Sequence, residues 1–364
     1  MRIKEVVSAL ERFAPLPLQD GYDNAGLQIG LTEAEATGAL LCLDITEAVI
    51  DEATALGYNL VIAHHPLLFK GYKSITGRDY VERCILKAIK NDVAIYAIHT
   101  NLDNVMQGVN HKIAQKLGLV RPRILAPQKD CLLKLLTYVP TEQAERVRQS
   151  LFDAGCGVIG NYDSCSYNLN GEGTFRALEG STPFCGSVGE LHREPETLVS
   201  VVLPAYKQTE AVHALLAAHP YEEPAYDLIP LKNSWDRVGA GMVAELETAV
   251  DEETFLHRVK DVFGVGRLCH TRLRGVKVKR VAFCGGAGSF LIPRAVAVRA
   301  DIFLTGEIKY HDYFGYEDRL VLAAMGHYES ERYTPELLQE MLRATRPELK
   351  TRISEINTNP ITYL

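Results

Sequence analysis

The sequence predicts an α/β protein whose chain is interrupted by a smaller α+β domain. Apolar strands alternate with amphipathic helices up to about residue 126, and the same alternation resumes at about residue 235. Between these points the strands follow one another more directly. At 364 residues the chain is long enough for more than one domain. We therefore expect one α/β domain built from residues 1–126 and 235–364, and an inserted domain spanning residues 127–234.

In the first segment, short buried strands alternate with helices. The N-terminal residues 1–15 have the spacing of an amphipathic helix. Three apolar runs predict buried strands, which lie at residues 38–46, 59–65 and 93–100. Patterns with helical periodicity follow these strands, at residues 47–57, 79–92 and 108–119. Such alternation is typical of a largely parallel sheet that is covered by helices on both faces.

The inserted segment has the order of a ferredoxin-like domain with one additional strand. Strands are predicted at residues 131–140, 162–169, 173–178, 196–204 and 225–231, and helices at residues 141–155 and 206–219. The resulting order is β-α-β-β-β-α-β, which differs from the alternation on either side.

The last segment returns to alternating strands and helices. A strand enters a glycine-rich turn at residues 284–289, whose amides could bind an anion or could simply form a tight turn into a helix. This turn lacks the Gly-Lys-Ser/Thr ending of a P-loop. Further strands are predicted at residues 301–308 and 319–327, and helices at residues 292–300 and 334–344.

Composition and charge argue against nucleic acids and membranes as partners. The chain has 39 Lys and Arg and 46 Asp and Glu, so its net charge is −7, and a mildly acidic chain has no general attraction for polyanions. No apolar run approaches the ~20 residues needed to cross a membrane, and the N-terminus lacks the apolar core of a signal peptide. The eight cysteines are scattered without a C-x-x-C pair. This pattern favours reduced thiols and a cytoplasmic location.

Three predicted strands end in side chains that bind metals. The candidates are His64 and His65 after the second strand, His99 and Asp103 after the third, and His327 and Glu331 after the strand at residues 319–327. Each pair alone has an ordinary structural explanation, such as one buried and one exposed histidine or a polar helix cap. Because open α/β sheets bind ligands where their strands end, the three strand ends together favour a functional site.

The residue types at these strand ends predict the chemistry of that site. Histidine, aspartate and glutamate are ligands of Zn²⁺, Fe²⁺, Mn²⁺ and Co²⁺. Five of the candidates are too many for one closed tetrahedral site, namely His64, His65, Asp103, His327 and Glu331. They suit two divalent metal ions per subunit that share a bridging carboxylate and leave positions for water. No cysteine adjoins them, which argues against a structural thiolate zinc site.

A further polar group follows the strand at residues 301–308. It consists of Glu307, Lys309, His311 and Asp312. These residues could line a pocket as acid–base groups or as partners of metal ligands, or they could form the solvated start of a helix.

Taken together, these motifs resemble the Nif-three-like family, also called the GTP cyclohydrolase I type 2 homologs. The resemblance covers nearly the whole chain and rests on six motifs in this order: YDNAGLQIG, AHHPLLFKG, IHTNLDN, GGAGS, TGEIKYHD and GHYESE. Residues 127–234 resemble the PII-like or CutA-like insertion of the longer bacterial members. One difference is Tyr22, where the family usually has tryptophan.

The resemblance implies a fold of two intertwined α/β repeats, a dinuclear metal centre and a homohexameric ring. One metal would bind a histidine of the adjacent pair together with Asp103 and Glu331. The other would bind the second histidine of that pair and His327, with Glu331 as the bridge. Which of the two neighbouring histidines belongs to which metal stays open, and His99 matches a family histidine that lies close to the centre.

The family name implies hydrolytic opening of the imidazole ring of GTP. The candidates for proton transfer in such a reaction are His99, Glu307 and His311. We therefore expect a metal-dependent hydrolase that acts on a nucleotide or a related small molecule. The alternative is a non-enzymatic, metal-binding regulatory or scaffold hexamer, because ferredoxin-like domains often sense small ligands.

Overall fold

A computed structural model describes all residues from 1 to 364. The chain forms two compact units, one built from Met1–Ala126 and Arg237–Leu364 and the other from Pro127–Asp236. The two parts of the first unit are distant in sequence but form one body, and the second unit is an insertion between them.

The secondary structure includes eleven α-helices, fifteen strands and five short 3-10 helices. The helices are α1 (Ile3–Phe13), α2 (Glu47–Ala55), α3 (Tyr80–Lys90), α4 (Thr100–Asn104), α5 (Val109–Leu117), α6 (Ala144–Asp153), α7 (Gln208–Ala218), α8 (Glu252–Phe263), α9 (Ile292–Ala297), α10 (His327–Glu331) and α11 (Thr334–Thr345). The strands are β1 (Gly26–Ile29), β2 (Ala39–Cys42), β3 (Leu60–Ala63), β4 (Ala94–Ala97), β5 (Leu119–Gln128), β6 (Leu132–Pro140), β7 (Ser166–Arg176), β8 (Leu191–Pro204), β9 (Tyr226–Leu231), β10 (Trp235–Asp251), β11 (Cys269–His270), β12 (Lys277–Cys284), β13 (Ile302–Thr305), β14 (Val321–Ala324) and β15 (Thr351–Ile353). No helix combines the length and the apolar character that crossing a membrane requires.

Local sequence signals define the helices of the first segment. Helix α2 begins after Thr46, whose hydroxyl accepts a hydrogen bond from the amide of Val49 at 3.3 Å. Helix α3 begins after Asp79, whose carboxylate accepts from the amide of Glu82 at 2.8 Å. Helix α5 ends at Gly118, which has φ +67° in the left-handed region that glycine tolerates best. These caps satisfy backbone groups that helix ends leave unpaired.

Strands β2, β3 and β4 form the parallel centre of the first sheet, whose full order is β1-β4-β3-β2-β15. Ala63 lies opposite Cys42 on one side and opposite Ala97 on the other. Every residue of these three strands is buried, as expected for strands that are covered on both faces. Because the strands are parallel and in this register, the residues that follow Cys42, Ala63 and Ala97 meet at one edge of the sheet.

The second sheet repeats this arrangement in the order β11-β14-β13-β12-β10-β5. Its strands β12, β13 and β14 are parallel, and Thr305 lies opposite Cys284 on one side and Ala324 on the other. The residues that follow these three positions therefore also meet at one edge.

Each sheet includes one strand from the other half of the chain. Strand β15, near the C-terminus, pairs in parallel with β2 of the first sheet. Strand β5, from the first segment, lies next to β10 in the second sheet. This exchange confirms the predicted fold of two intertwined α/β repeats.

The inserted unit is an antiparallel sheet of four strands in the order β7-β8-β6-β9. Helices α6 and α7 cover one face of this sheet, where Val147 and Leu215 belong to the same buried core as Leu135 and Val201. The order along the chain is β-α-β-β-α-β, which confirms the predicted ferredoxin-like class.

The additional strand predicted for this unit is wrong. The predicted strands at residues 162–169 and 173–178 are parts of one strand, β7. This strand pairs with β8 in one continuous register, from Ser166 opposite Val201 to Arg176 opposite Leu191. The continuous ladder of hydrogen bonds to β8 holds the glycines within β7 in extended conformation, so they do not interrupt it.

The close approach of α4 to α5 depends on Gly108, which precedes α5. A Cβ atom at this position would overlap the backbone carbonyl oxygen of Leu102 in α4. We expect Gly108→Ala to push the two helices apart and to lower the free energy of unfolding by about 1–3 kcal/mol. Urea denaturation of the full chain measures this change.

The control for that experiment is Gly71→Ala. Nothing lies within 4 Å of a Cβ atom built at Gly71, so the expected change is below about 0.5 kcal/mol. Equal losses in both variants would show that Gly108 is not a point of close helix contact.

Candidate metal centre

Four histidine rings gather where the parallel strands of the two sheets end. His64 and His65 follow β3, His99 follows β4, and His327 begins α10 after β14. The ring of His65 lies in the middle of the group, with centroid distances of 5.0 Å to His64, 5.5 Å to His99 and 5.3 Å to His327. The strand registers thus bring together predicted site residues from both halves of the chain.

Glu331 is the carboxylate that three of these rings share. It is the last residue of α10, and only 4% of its side chain is exposed. Its Oε2 lies 3.0 Å from Nε2 of His65 and 3.3 Å from Nε2 of His327, whereas its Oε1 lies 3.8 Å from Nε2 of His64. His327 and Glu331 are four residues apart on one helix, a spacing that places both side chains on the same face. Burying a carboxylate is costly unless its charge is compensated, and the imidazoles provide that compensation.

Asp103 lies on the side of the cluster that His64 occupies. Its Oδ1 is 3.7 Å from Nε2 of His64. About a quarter of the Asp103 side chain is exposed, yet this oxygen is buried. Neither Oδ1 of Asp103 nor Nε2 of His64 has a hydrogen-bond partner. Buried polar atoms normally have partners, so two of them without one and close to each other fit the coordination of a cation.

Gly286 of the glycine-rich turn keeps side chains out of the space among the donor atoms. It has φ +61°, and a Cβ atom built there would overlap Oε1 of Glu331 and lie 3.3 Å from Nε2 of His327. Any side chain at this position would therefore fill the space toward which the ligands point. Imidazole nitrogens and carboxylate oxygens around such a space fit a divalent ion such as Zn²⁺, Fe²⁺, Mn²⁺ or Co²⁺.

The Nδ1 atom of each of the four histidines makes a hydrogen bond to an oxygen atom. Each Nδ1 lies between 2.7 and 2.9 Å from that oxygen. The partners are the carbonyl oxygen of Ile98 for His64, the carboxylate of Asp44 for His65, the carboxylate of Asp23 for His99 and the carboxylate of Glu307 for His327. A ring that donates its Nδ1–H in this way is oriented and has Nε2 free to bind a metal.

The charges at the cluster favour a cation beside Glu331. Burial lowers the pKa of His65, but hydrogen bonds to Asp44 and Glu331 outweigh burial and raise it to about 10. Burial likewise lowers the pKa of His327, and Glu331 raises it to about 9. Burial raises the pKa of Glu331, but the close imidazoles of His327, His64 and His65 hold it well below its usual range. Burial raises the pKa of Asp103 well above its usual range. A bound metal would replace the protons on these imidazoles, because ligands coordinate in their deprotonated forms.

Sequence reasoning did not identify Asp23 and Asp44 as parts of the site. Asp23 accepts hydrogen bonds from His99 and, at 3.0 Å, from the amide of Thr100. Asp44 lies two residues after β2, as His65 lies two residues after β3. The sequence contained a signal for Asp44 only, because this polar residue lies at the end of the apolar strand predicted at residues 38–46.

Two residues predicted to transfer protons occupy different environments. Glu307 reaches the cluster, where its Oε1 lies 2.9 Å from Nδ1 of His327. His311 lies in a short 3-10 helix, is exposed, and has its ring contacts with Tyr310 and Phe314. The structure does not bring His311 among the four gathered histidines, and its role in proton transfer stays a prediction.

The glycine-rich turn uses its backbone amides within the protein. The amide of Gly285 donates to Asn110 at 3.0 Å, that of Gly286 to Ser330 at 2.9 Å, and that of Gly288 to Thr305 at 2.9 Å. Because these amides are already paired, the structure favours a tight turn over an anion-binding loop.

Comparisons with known proteins find relatives that span the full chain. The sequence model of a family described as Duf34/NIF3 (NGG1p interacting factor 3) matches residues 1–360. The chain is 36% identical over 364 residues to the GTP cyclohydrolase 1 type 2 homolog of Halalkalibacterium halodurans, covering 99% of this chain and 98% of that protein. It is 35% identical over 370 residues to the Bacillus subtilis protein of the same name, with the same coverage. The crystal structure of a Bacillus cereus protein related to NIF3 superposes with a TM-score of 0.86 at 35% identity, covering 100% of this chain and 99% of that one.

The position of Gly286 leads to a test of the site. We expect Gly286→Ala to abolish metal binding at this centre and so to lower the metal content of the chain, because its methyl group would displace Glu331 from the donor atoms it faces. Metal content after saturation with Zn²⁺ and desalting, measured by elemental analysis, checks this expectation.

Gly118→Ala is the matched control, since Gly118 has a similar φ of +67° but nothing within 4 Å of a built Cβ atom. Both variants carry the backbone cost of about 1–2 kcal/mol for alanine in the left-handed region. Only the Gly286 variant should lose metal, and full metal content in that variant would contradict the site.

Proposed function

Because the chain belongs to the Duf34/NIF3 (NGG1p interacting factor 3) family, we propose that it is a dinuclear metal-dependent hydrolase. Its substrate would be a nucleotide or a related small molecule. The ligands would be His64, His65, Asp103, His327 and Glu331.

The observation that carries this proposal is the division of donor atoms between the two oxygens of Glu331. On one side, Nε2 of His64 lies 3.8 Å from Oε1 of Glu331 and 3.7 Å from Oδ1 of Asp103. On the other side, Nε2 of His65 and Nε2 of His327 lie 3.0 and 3.3 Å from Oε2. A carboxylate with a separate ligand set at each oxygen is suited to bridge two ions. We accordingly assign His64 to the metal that Asp103 binds, and His65 to the metal that His327 binds.

Two bound divalent ions would lower the pKa of water toward neutrality and stabilise charge on a leaving atom. The protein would contribute His99 as the group that moves a proton. Its ring lies 5.3 Å from that of His64 and 5.5 Å from that of His65, and Asp23 holds its Nδ1 at 2.7 Å. This contact leaves Nε2 directed away from Asp23 and able to exchange a proton with a substrate.

The proposed substrate class rests on the names of the relatives. Relatives of this chain carry the name GTP cyclohydrolase 1 type 2 homolog. In a reaction of that kind, the oxygen of water forms a bond to a ring carbon, a carbon–nitrogen bond breaks, and the nitrogen takes up a proton. Glu307 would serve this reaction by orienting His327 through the bond at 2.9 Å. The homohexameric assembly, the cytoplasmic location and the non-enzymatic alternative stay predictions.

Metal stoichiometry tests the bridging arrangement. We expect Glu331→Gln to bind about two fewer metal ions per chain than the wild type, and Asp103→Ala or His327→Ala to bind about one fewer. Anaerobic reconstitution followed by elemental analysis provides the numbers. If Glu331→Gln kept both ions, the carboxylate would not be the bridge.

Turnover tests the hydrolase itself. With GTP as the first substrate, followed by a panel of nucleotides and phosphoesters, we expect metal-dependent hydrolysis that falls about 10²–10⁴-fold in His99→Gln. Metal content should stay at the wild-type value in this variant. His257→Gln makes the same change at an exposed histidine of α8 outside the candidate site and serves as the control. If a chain with both metals bound shows no turnover, hydrolysis of those substrates is excluded. That result would favour the non-enzymatic alternative.

A further inference from the structure

A second group of metal-binding side chains lies within the inserted unit. Cys185, His192 and Glu194 each offer one ligand atom, and these atoms lie within 4.8 Å of one another. Nε2 of His192 is 2.8 Å from Oε2 of Glu194. The side chains of His192 and Glu194 are mostly buried, with 26% and 23% exposed. None of these three residues contributes to the metal centre described above.

Strand β8 presents two members of this group on one face. His192 and Glu194 are two residues apart in the strand, so their side chains point to the same side of the sheet. Val199 and Val201 of the same strand point into the core under the helices. Because the register with β7 is continuous, the alternation places His192 and Glu194 on the opposite face. Phe175 of β7 lies directly across from His192, with ring centroids 5.3 Å apart.

The loop between β7 and β8 brings Cys185 to these side chains. The next residue, Gly186, has φ +78°, and a Cβ atom built there would lie 2.8 Å from Cβ of His192. Only a glycine lets the loop come this close to the strand. The loop is also held in place, because the amide of Thr182 donates to Glu222 at 3.0 Å. The fold therefore fixes the thiol of Cys185 beside His192.

We propose that Cys185, His192 and Glu194 bind one divalent cation of the Zn²⁺ class. A thiolate, an imidazole and a carboxylate are all zinc ligands, and the thiolate selects against Mg²⁺ and Ca²⁺. Ligand atoms around a tetrahedral zinc are on the order of 3.5 Å apart. Separations of at most 4.8 Å therefore require only small movements, in which the hydrogen-bonded atoms of His192 and Glu194, 2.8 Å apart, separate slightly. Cys185 would release its thiol proton to water when the ion binds.

The proposed site borders a cavity of about 680 Å³ in the inserted unit. Phe175 and Tyr221 line this cavity and contact the cluster, since the hydroxyl of Tyr221 lies 3.9 Å from Sγ of Cys185. The same hydroxyl donates to Oε1 of Glu196 at 2.7 Å. Three protein ligands leave one of the four positions of a tetrahedral zinc for water or for a small molecule. A small molecule in the cavity would lie beside the cluster, because Phe184, which precedes Cys185, also lines the cavity.

Cobalt provides a readout that is specific to this site. Co²⁺ bound by a thiolate has an intense near-ultraviolet charge-transfer absorption, and the ligands proposed for the dinuclear centre include no thiolate. Titration of the full chain with Co²⁺ under reducing conditions should produce this band. Cys185→Ser should abolish it, and His192→Ala should weaken the affinity at least tenfold. Addition of Zn²⁺ should bleach it, because Zn²⁺ binds such sites more tightly than Co²⁺.

Two control variants make the result specific. Cys165→Ser changes another partly buried thiol of the same unit and should leave the band intact. Glu331→Gln should also leave it intact, so that loss of the dinuclear centre and loss of this site are distinguishable. The proposal is overturned if the wild-type chain shows no band at saturating Co²⁺. It is equally overturned if the band survives Cys185→Ser, or if it disappears in either control.

Discussion

The buried carboxylate of Glu331 is the group on which the rest of the metal centre depends. A carboxylate with only 4% of its side chain exposed requires compensating positive charge or hydrogen bonds. That compensation comes from the imidazoles of His65 and His327, which lie at the ends of strands in two different sheets. The compensation is available only if both sheets keep their register, because a slip of one residue would turn each ligand to the opposite face. Strand exchange between the halves, through β5 and β15, ties the two sheets to each other and so maintains the distances around Glu331.

Orientation of the imidazoles is the second constraint. The backbone carbonyl of Ile98 and the carboxylates of Asp23, Asp44 and Glu307 accept hydrogen bonds from the Nδ1 atoms. Such partners commonly affect metal affinity about 10–100-fold, although they never touch the metal. Three of these four acceptors are carboxylates. Negative charge therefore lies at the Nδ1 side of these rings as well as within the cluster, at Glu331. This arrangement makes the imidazoles better electron donors toward a cation and is consistent with a site that holds its ligands ready before a metal arrives.

The two clusters of ligands differ in their donor atoms. The strand ends of the first unit supply nitrogen and oxygen atoms alone, which suit several borderline divalent ions. The inserted unit adds the sulfur of Cys185, a softer donor that favours Zn²⁺ over harder ions. In both clusters a glycine lies so close to a ligand that a Cβ atom at its position would overlap the ligand's side chain. Gly286 lies in this way beside Glu331, and Gly186 beside His192.

The sequence by itself determined the α/β class, the inserted ferredoxin-like unit and the residues at the strand ends, including His64, His327 and Glu331. It could do so because apolar periodicity and strand ends are local properties of the chain. Only the tertiary structure decided which oxygen of Glu331 faces which histidine, that Asp44 supports His65, that β7 is one continuous strand, and that Cys185 meets the side chains of β8. These features depend on strand register and on the course of loops. Strand register and loop course are set by contacts between residues far apart in sequence, so local sequence patterns do not determine them.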